Sequence, residues 1–166
     1  MQLFPSPNPM KIKPNYILIP LIAVIVAVGG SYLTGAGMEW YETSLIKPTL
    51  APPKIAFPIA WNFIFVCTTI SALLIFNKAK KDKHYKVLLA LFVANAILNI
   101  LWSYLFFYVG DVQAALIEMI FIEATIIGLI FMMWENFKLA AALLLPYLLW
   151  VGFATFLTYQ ILSLNT

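Results

Sequence analysis

The stretch Val87–Val109, VLLALFVANAILNILWSYLFFYV, decides the fold. It carries no charged residue, it lacks the strict alternation of a strand, and at about 1.5 Å per residue it is long enough to cross the roughly 30 Å of hydrocarbon in a bilayer. Within it Asn95, Asn99, Trp102 and Phe106 recur at i, i+4, i+7 and i+11. At about 100° per residue they lie within roughly 60° of one another, a single stripe along a helix. An amide in hydrocarbon is costly unless hydrogen-bonded, so this stripe faces a bundle interior or a cavity. Spacing alone leaves two readings open: interhelical hydrogen bonds that hold the bundle, or polar groups that meet a ligand. Ala90 and Ala94 lie on another face, suited to close packing against a second helix or a second protomer.

Four similar runs flank this segment, at Tyr16–Leu33, Ile55–Phe76, Val112–Trp134 and Leu139–Leu162. An open sheet cannot leave unpaired edges in lipid, so the expectation is an all-α membrane protein, a five-transmembrane-helix bundle. Composition agrees. The chain of 166 residues is 63% hydrophobic and 10% charged, with a mean hydropathy of +0.94, whereas a soluble domain is about 45–50% apolar and about 25% charged. An aromatic content of 16% speaks against disorder. All 10 basic residues are Lys, most of them in short breaks between apolar runs, which excludes nucleic acid as a partner class. Residues 16–166 read as one domain. Residues 1–15, with Pro5-Ser6-Pro7-Asn8-Pro9, read as a disordered Pro-rich tail. Pro20 and Pro146 fall inside their runs and are expected to kink or loosen those helices.

The first run also resembles a secretory signal, with Lys11 and Lys13 ahead of it and a weak cleavage pattern at Ala27-Val28-Gly29. Ala23, Ala27, Ser31 and Gly35 form a small-x-x-x-small stripe suited to close helix packing, which favours a retained span. Alternate breaks differ in charge: the N-terminus, second break and fourth break hold eight of the ten lysines, against Lys47 and Lys54 in the first break. The bias puts the N-terminus inside and the C-terminus outside, and a bacterial-type inner membrane is the expected host. The third and fourth breaks are short, making the last three spans antiparallel neighbours. The first break, Thr34 to Lys54, is long and holds Trp40, Tyr41, Pro48, Pro52 and Pro53, a stiffened, aromatic segment expected to act as a lid-like loop between helices 1 and 2.

Other groups carry weaker signals. Pro146, Trp150, Phe153 and Leu157 repeat the i, i+4, i+7, i+11 pattern, and Trp61 shares a face with Phe65. Such stripes are core or interface belt, yet Trp61, Trp102 and Trp150 sit inside the spans, where an indole N–H favours a pocket or a polar neighbour. Glu118 and Glu123 stand about 140° apart on their helix, either as part of a proton pathway or as hydrogen-bonded carboxyls joining helices. Cys67 has no partner cysteine, and His84, the lone histidine, lies in the Lys-rich break as a solvated residue. No metal cluster, nucleophile triad or phosphate loop is legible, so there is no hydrolase, ATPase or metal-site signature and no cofactor is expected.

Three motifs together resemble a known family. Trp40-Tyr41, Leu45, Lys47-Pro48, Pro52-Pro53 and then Trp61 look like the first-loop signature of the TspO/MBR family, the tryptophan-rich sensory proteins whose animal members are called translocator protein or peripheral benzodiazepine receptor. Asn99-Ile100-Leu101-Trp102-Ser103 with Phe106-Phe107 is similar to its third-helix motif, and Pro146-Tyr147-Leu148-Leu149-Trp150 through Phe153-Ala154-Thr155 to its fifth. The resemblance runs from about Trp40 to Asn165 and implies a five-helix bundle, a homodimer, and a pocket capped by the first loop. It implies binding of porphyrins, notably protoporphyrin IX, and of sterols and drugs. The ligand-binding set it suggests, joined to the stripes, is Trp40, Tyr41, Trp61, Asn95, Asn99, Trp102, Phe106, Trp150, Phe153 and Ala154. Some bacterial members degrade protoporphyrin in light and oxygen, and the implicated tryptophans match Trp61 and Trp150. The chain departs from the family pattern at Leu50, where Trp is common, so an aromatic wall of the lid is missing. It also lacks a basic residue after Tyr159, so the proposed sterol motif is incomplete.

The leading expectation is thus an integral membrane receptor or sensor for porphyrins and other flat apolar ligands. The alternatives are a light- and oxygen-dependent porphyrin-degrading enzyme and a porphyrin or sterol transporter. Without a detectable repeat, the chain fits common transporter architecture poorly.

Overall fold

A computed structural model of the chain describes residues 13–78 and 84–166. Lys11, most of the Pro-rich tail, and Lys80, Lys81 and Lys83 lie outside the described residues. The elements are α1 (Asn15–Ser44), α2 (Ala56–Lys78), α3 (Tyr85–Ser103) with a π-helical end at Tyr104–Val109, α4 (Val112–Met133), α5 (Lys138–Ala142) and α6 (Leu145–Asn165). Among the described residues five helical segments are long and apolar enough to cross a membrane, with α5 and α6 forming the fifth. Large apolar side chains point outward along them: Phe131 is 82% exposed and Leu149 75%. Such exposure suits lipid and not water.

The five spans close a ring. α1 packs on α2 and α3, α3 on α4, α4 on α6, and α2 on α5 and α6. The last three spans are neighbours, as their short connections require. The main apolar core lies between α2, α4 and the α5–α6 span, where Ile75, Ile126, Met133, Ala141 and Leu144 are fully enclosed.

Three expectations change. First, α1 does not stop at Leu33 but runs for 30 residues to Ser44, about 45 Å at 1.5 Å per residue. It therefore outlasts the hydrocarbon, and Trp40 and Tyr41 ride on a helix. Only Leu45–Ile55 lies between α1 and α2. The helix persists because nothing in Thr34–Ser44 breaks it; its polar end mimics a loop in composition alone. Second, most of the stripe Ala23, Ala27, Ser31 and Gly35 does not mediate close packing. Ala27, Ser31 and Gly35 line a cavity instead, and a Cβ added at Gly35 would meet nothing within 4 Å. Close approach falls to Gly37, whose added Cβ would overlap the Phe107 carbonyl. Third, Pro20 leaves α1 uninterrupted, whereas the span with Pro146 is divided. α5 ends at Ala142, Leu144 N–H turns back to the Ala141 carbonyl at 3.0 Å, and Pro146 sits in the first turn of α6, where its missing N–H costs nothing.

The end of α3 is set by local chemistry. Tyr104–Val109 winds as a π-helix, a form concentrated at functional sites. Gly110 follows at φ 77°, a left-handed position that favours glycine. Asp111 then caps α4, accepting from Ala114 N–H at 2.8 Å.

Candidate ligand-binding cavity

Inside the ring, α1, α2, α3 and α6 enclose a cavity of about 670 Å³. Its deep wall is aromatic. Trp102 stacks on Phe106 with ring centroids 5.4 Å apart, Trp61 stands 6.3 Å from Trp102 and 6.1 Å from Tyr147, and Trp150 meets Phe57 edge-on at 5.8 Å. Trp61, Trp102 and Trp150 all line the space. The indole N–H groups of Trp102 and Trp150 are buried and have no hydrogen-bond acceptor, which leaves two donors to satisfy beside an apolar space.

Behind this wall the amides are locked together. Asn99 donates from Nδ2 to the Asn95 carbonyl at 2.9 Å and to the Tyr147 hydroxyl oxygen. Tyr147 donates to Asn95 Oδ1 at 3.2 Å, and Asn95 donates to Thr125 Oγ1 at 2.8 Å. The network joins α3 to α4 and α6. Asn99 both belongs to it and lines the cavity, whereas Asn95 does not reach the lining. Both amides thus take part in the helix-joining network, and Asn99 of the two also borders the cavity.

At the other end lies the first loop. Glu42 Oε2 accepts from Lys54 at 2.7 Å and from Lys47 at 3.2 Å, and the Lys47 ammonium sits 4.8 Å from the centre of the Tyr41 ring. Asn165, at the end of α6, accepts from Ile46 N–H at 2.9 Å and donates to the Ile46 carbonyl at 3.0 Å. This reciprocal pair treats an amide side chain as a strand partner for the loop. With Pro48 buried and Pro52 and Pro53 restricting the backbone, Lys47, Pro48, Ala51, Pro52, Pro53 and Lys54 form the rim of the cavity.

Of the residues expected at the site, Tyr41, Trp61, Asn99, Trp102, Phe106, Trp150 and Ala154 line the cavity together. Trp40 and Phe153 do not. Trp40 lies beside Phe106 at 6.2 Å and faces a separate hollow with Leu45 and Gly110, while Phe153 supports Trp150 at 5.8 Å. Leu50 is 60% exposed and lies off the lining, so this position contributes no wall here. Tyr147 was legible only as part of a motif; an intramembrane phenol one turn before Trp150 was the signal for its bridging role. Phe107, quoted within the third-helix motif, lines the cavity as well, and so do Glu42, Phe57 and Thr158, which no sequence pattern selected. Glu123 accepts from Thr155 at 2.8 Å, joining α4 to α6, and Glu118 is buried away from the lining.

Fold and cavity together define an integral membrane protein of five helical spans, with an aromatic space between them whose lining includes the proline-rich loop between α1 and α2. The chain belongs to the TspO/MBR family, which it matches over residues 17–164. It is 33% identical over 146 residues to the Tryptophan-rich protein TspO of Chlorobaculum tepidum, covering 87% of this chain and 92% of that one. It is 30% identical over 154 residues to a Tryptophan-rich sensory protein of Cereibacter sphaeroides, covering 87% and 90%. The human Translocator protein is similar as well, 27% identical over 133 residues, or 80% of this chain and 78% of that one.

Proposed function

We propose that the cavity binds porphyrins, protoporphyrin IX above all, and other flat apolar molecules, and that the protein is a membrane receptor or sensor for them. The observation that carries this reading is the wall of Trp61, Trp102, Phe106 and Trp150 around about 670 Å³, within the range of about 300–1,000 Å³ of small-molecule sites. Aromatic faces suit a macrocycle, while Asn99 and the two unpartnered indole N–H groups supply polar contacts at its edges. The first loop then acts as the lid, pinned by Asn165 and Glu42. The lysine bias supports an N-terminus on the cytoplasmic face of a bacterial-type inner membrane. A homodimer fits Ala90, which is exposed on α3 one turn from Ala94.

Titration of the detergent-purified protein with protoporphyrin IX in the dark, followed by Trp fluorescence, tests this reading. Saturable quenching is the expected result, and a merely linear loss of signal overturns it. A second reading, light- and oxygen-dependent porphyrin breakdown, is favoured by the placement of both Trp61 and Trp150 on the cavity wall. Under illumination that reading requires loss of the porphyrin absorbance, and the loss must slow when both tryptophans are changed to Phe.

A further inference from the structure

We propose that the rim of the cavity is an anion site, formed by Lys47 and Lys54, which takes a carboxylate of the bound ligand. The natural ligand is then an amphiphile with an apolar body and an acidic end, and not a neutral molecule. The inference rests on the binding reading above and adds the chemistry of the ligand's polar end.

The argument begins with charge. Glu42, Lys47 and Lys54 are the formally charged side chains among the described residues that line the cavity, Glu42 from the last turn of α1 and the two lysines from the loop after it. Two ammonium groups face one carboxylate there. Both ammoniums converge on the same oxygen, Glu42 Oε2, at 3.2 and 2.7 Å, while Oε1 has no partner. A single carboxylate cannot neutralise two lysines, and each ammonium carries three donors. Lys54 uses one on Glu42 and its side chain is 77% exposed, so its other donors are free to meet a second acceptor. Lys47, at 29% exposure, is partly withdrawn from solvent, where an ionic contact is screened less than in water.

Geometry adds to charge. The lysines flank Pro48, Pro52 and Pro53, and Asn165 holds the loop at Ile46. These features restrict the backbone around both lysines, which reduces the ordering cost of binding. The cavity therefore runs from an aromatic floor to a cationic rim, and a ligand with an apolar ring and an acid group matches it end for end. In this arrangement Glu42 has two functions: it stations the lysines, and it competes with the incoming carboxylate.

Protoporphyrin IX and its dimethyl ester test the proposal, because they share a macrocycle and differ in charge. The readout is the ratio of their Kd values by Trp quenching. The wild-type protein is expected to favour the diacid by about two- to fivefold, the scale of a partly exposed ion pair. The Lys47→Gln, Lys54→Gln double variant is expected to bring that ratio close to one. Lys54→Gln alone, at an exposed position, gives a smaller drop and serves if the double variant does not fold. Glu42→Gln is the discriminating change. With its competing charge gone, the ratio should rise, whereas a purely structural clasp would weaken both porphyrins alike and leave the ratio where it was. Equal binding of diacid and ester by the wild type, or a ratio unmoved by the lysine changes, overturns the anion site while leaving the porphyrin reading intact. Failure of both porphyrins to bind overturns that reading and the anion site with it.

Discussion

The two sides of the cavity are built differently. On one side, α3, α4 and α6 are joined by Asn95, Asn99, Thr125 and Tyr147, with Glu123 and Thr155 adding a further hydrogen bond. On the other, α1 carries no such bond to α3 among those described and approaches by means of small residues, above all Gly37 against the Phe107 carbonyl. The most apolar stretch of α1 is 6% buried, against 39% for α4. The polar side fixes the position of the aromatic wall, while the small-residue side leaves room for the cavity. A membrane bundle thus spends its interhelical hydrogen bonds where a surface must be held and its glycines and alanines where space must be left.

The largest expected effect lies on the α1 side. Gly37→Ala would force a methyl group into the Phe107 carbonyl and separate α1 from the π-helical end of α3, lowering stability by about 3 kcal/mol in a detergent melt followed by circular dichroism. Gly35→Ala, two residues away where an added Cβ meets nothing within 4 Å, should change the same melt by less than about 0.5 kcal/mol. Similar losses from both substitutions would erase the distinction between the contact and cavity faces of α1.

On the polar side, Asn99→Leu removes the donor shared between Asn95 and Tyr147 and should cost about 1–2 kcal/mol, while also weakening porphyrin binding. Thr155→Val breaks one bond to Glu123 and should cost about 0.6 kcal/mol in the same melt. Because Thr155 does not line the cavity, its effect should appear in stability and leave ligand affinity within about twofold. The smallest effect is expected at Leu50→Trp. Restoring the residue common in the family at a site 60% exposed should move protoporphyrin affinity by less than about twofold. A large gain would mean that this side chain turns inward when ligand is bound.

The sequence was most informative where physics leaves few choices. Lipid forbids unpaired backbone, so the five spans and their antiparallel order were legible from hydropathy alone. The stripe of Asn95, Asn99, Trp102 and Phe106 was legible because amides in hydrocarbon must face inward. Less was legible in α1. A helix that outlasts the bilayer ends in water, and Glu39, Glu42, Thr43 and Ser44 read as a loop by composition although nothing breaks the helix there. The stripe of Ala27, Ser31 and Gly35 was ambiguous for a different reason: small residues allow either a close neighbour or an empty space, and only the position of Gly37 decides between them. The pairing of Glu42 with Lys47 and Lys54, and the clasp of Ile46 by Asn165, join groups whose spacing in sequence carries no periodic signal.

The central claim, that ligand binds within the bundle, is tested most directly by filling the space without touching the polar side. Ser31 lines the cavity from α1, and Ser31→Phe would place a ring there. Protoporphyrin IX titrations of this variant and the wild type, with the melt confirming the fold, should show affinity reduced by about tenfold or more, the scale of losing one well-packed contact region. Equal affinity in both proteins would place the porphyrin on the outer, lipid-facing surface and contradict the account.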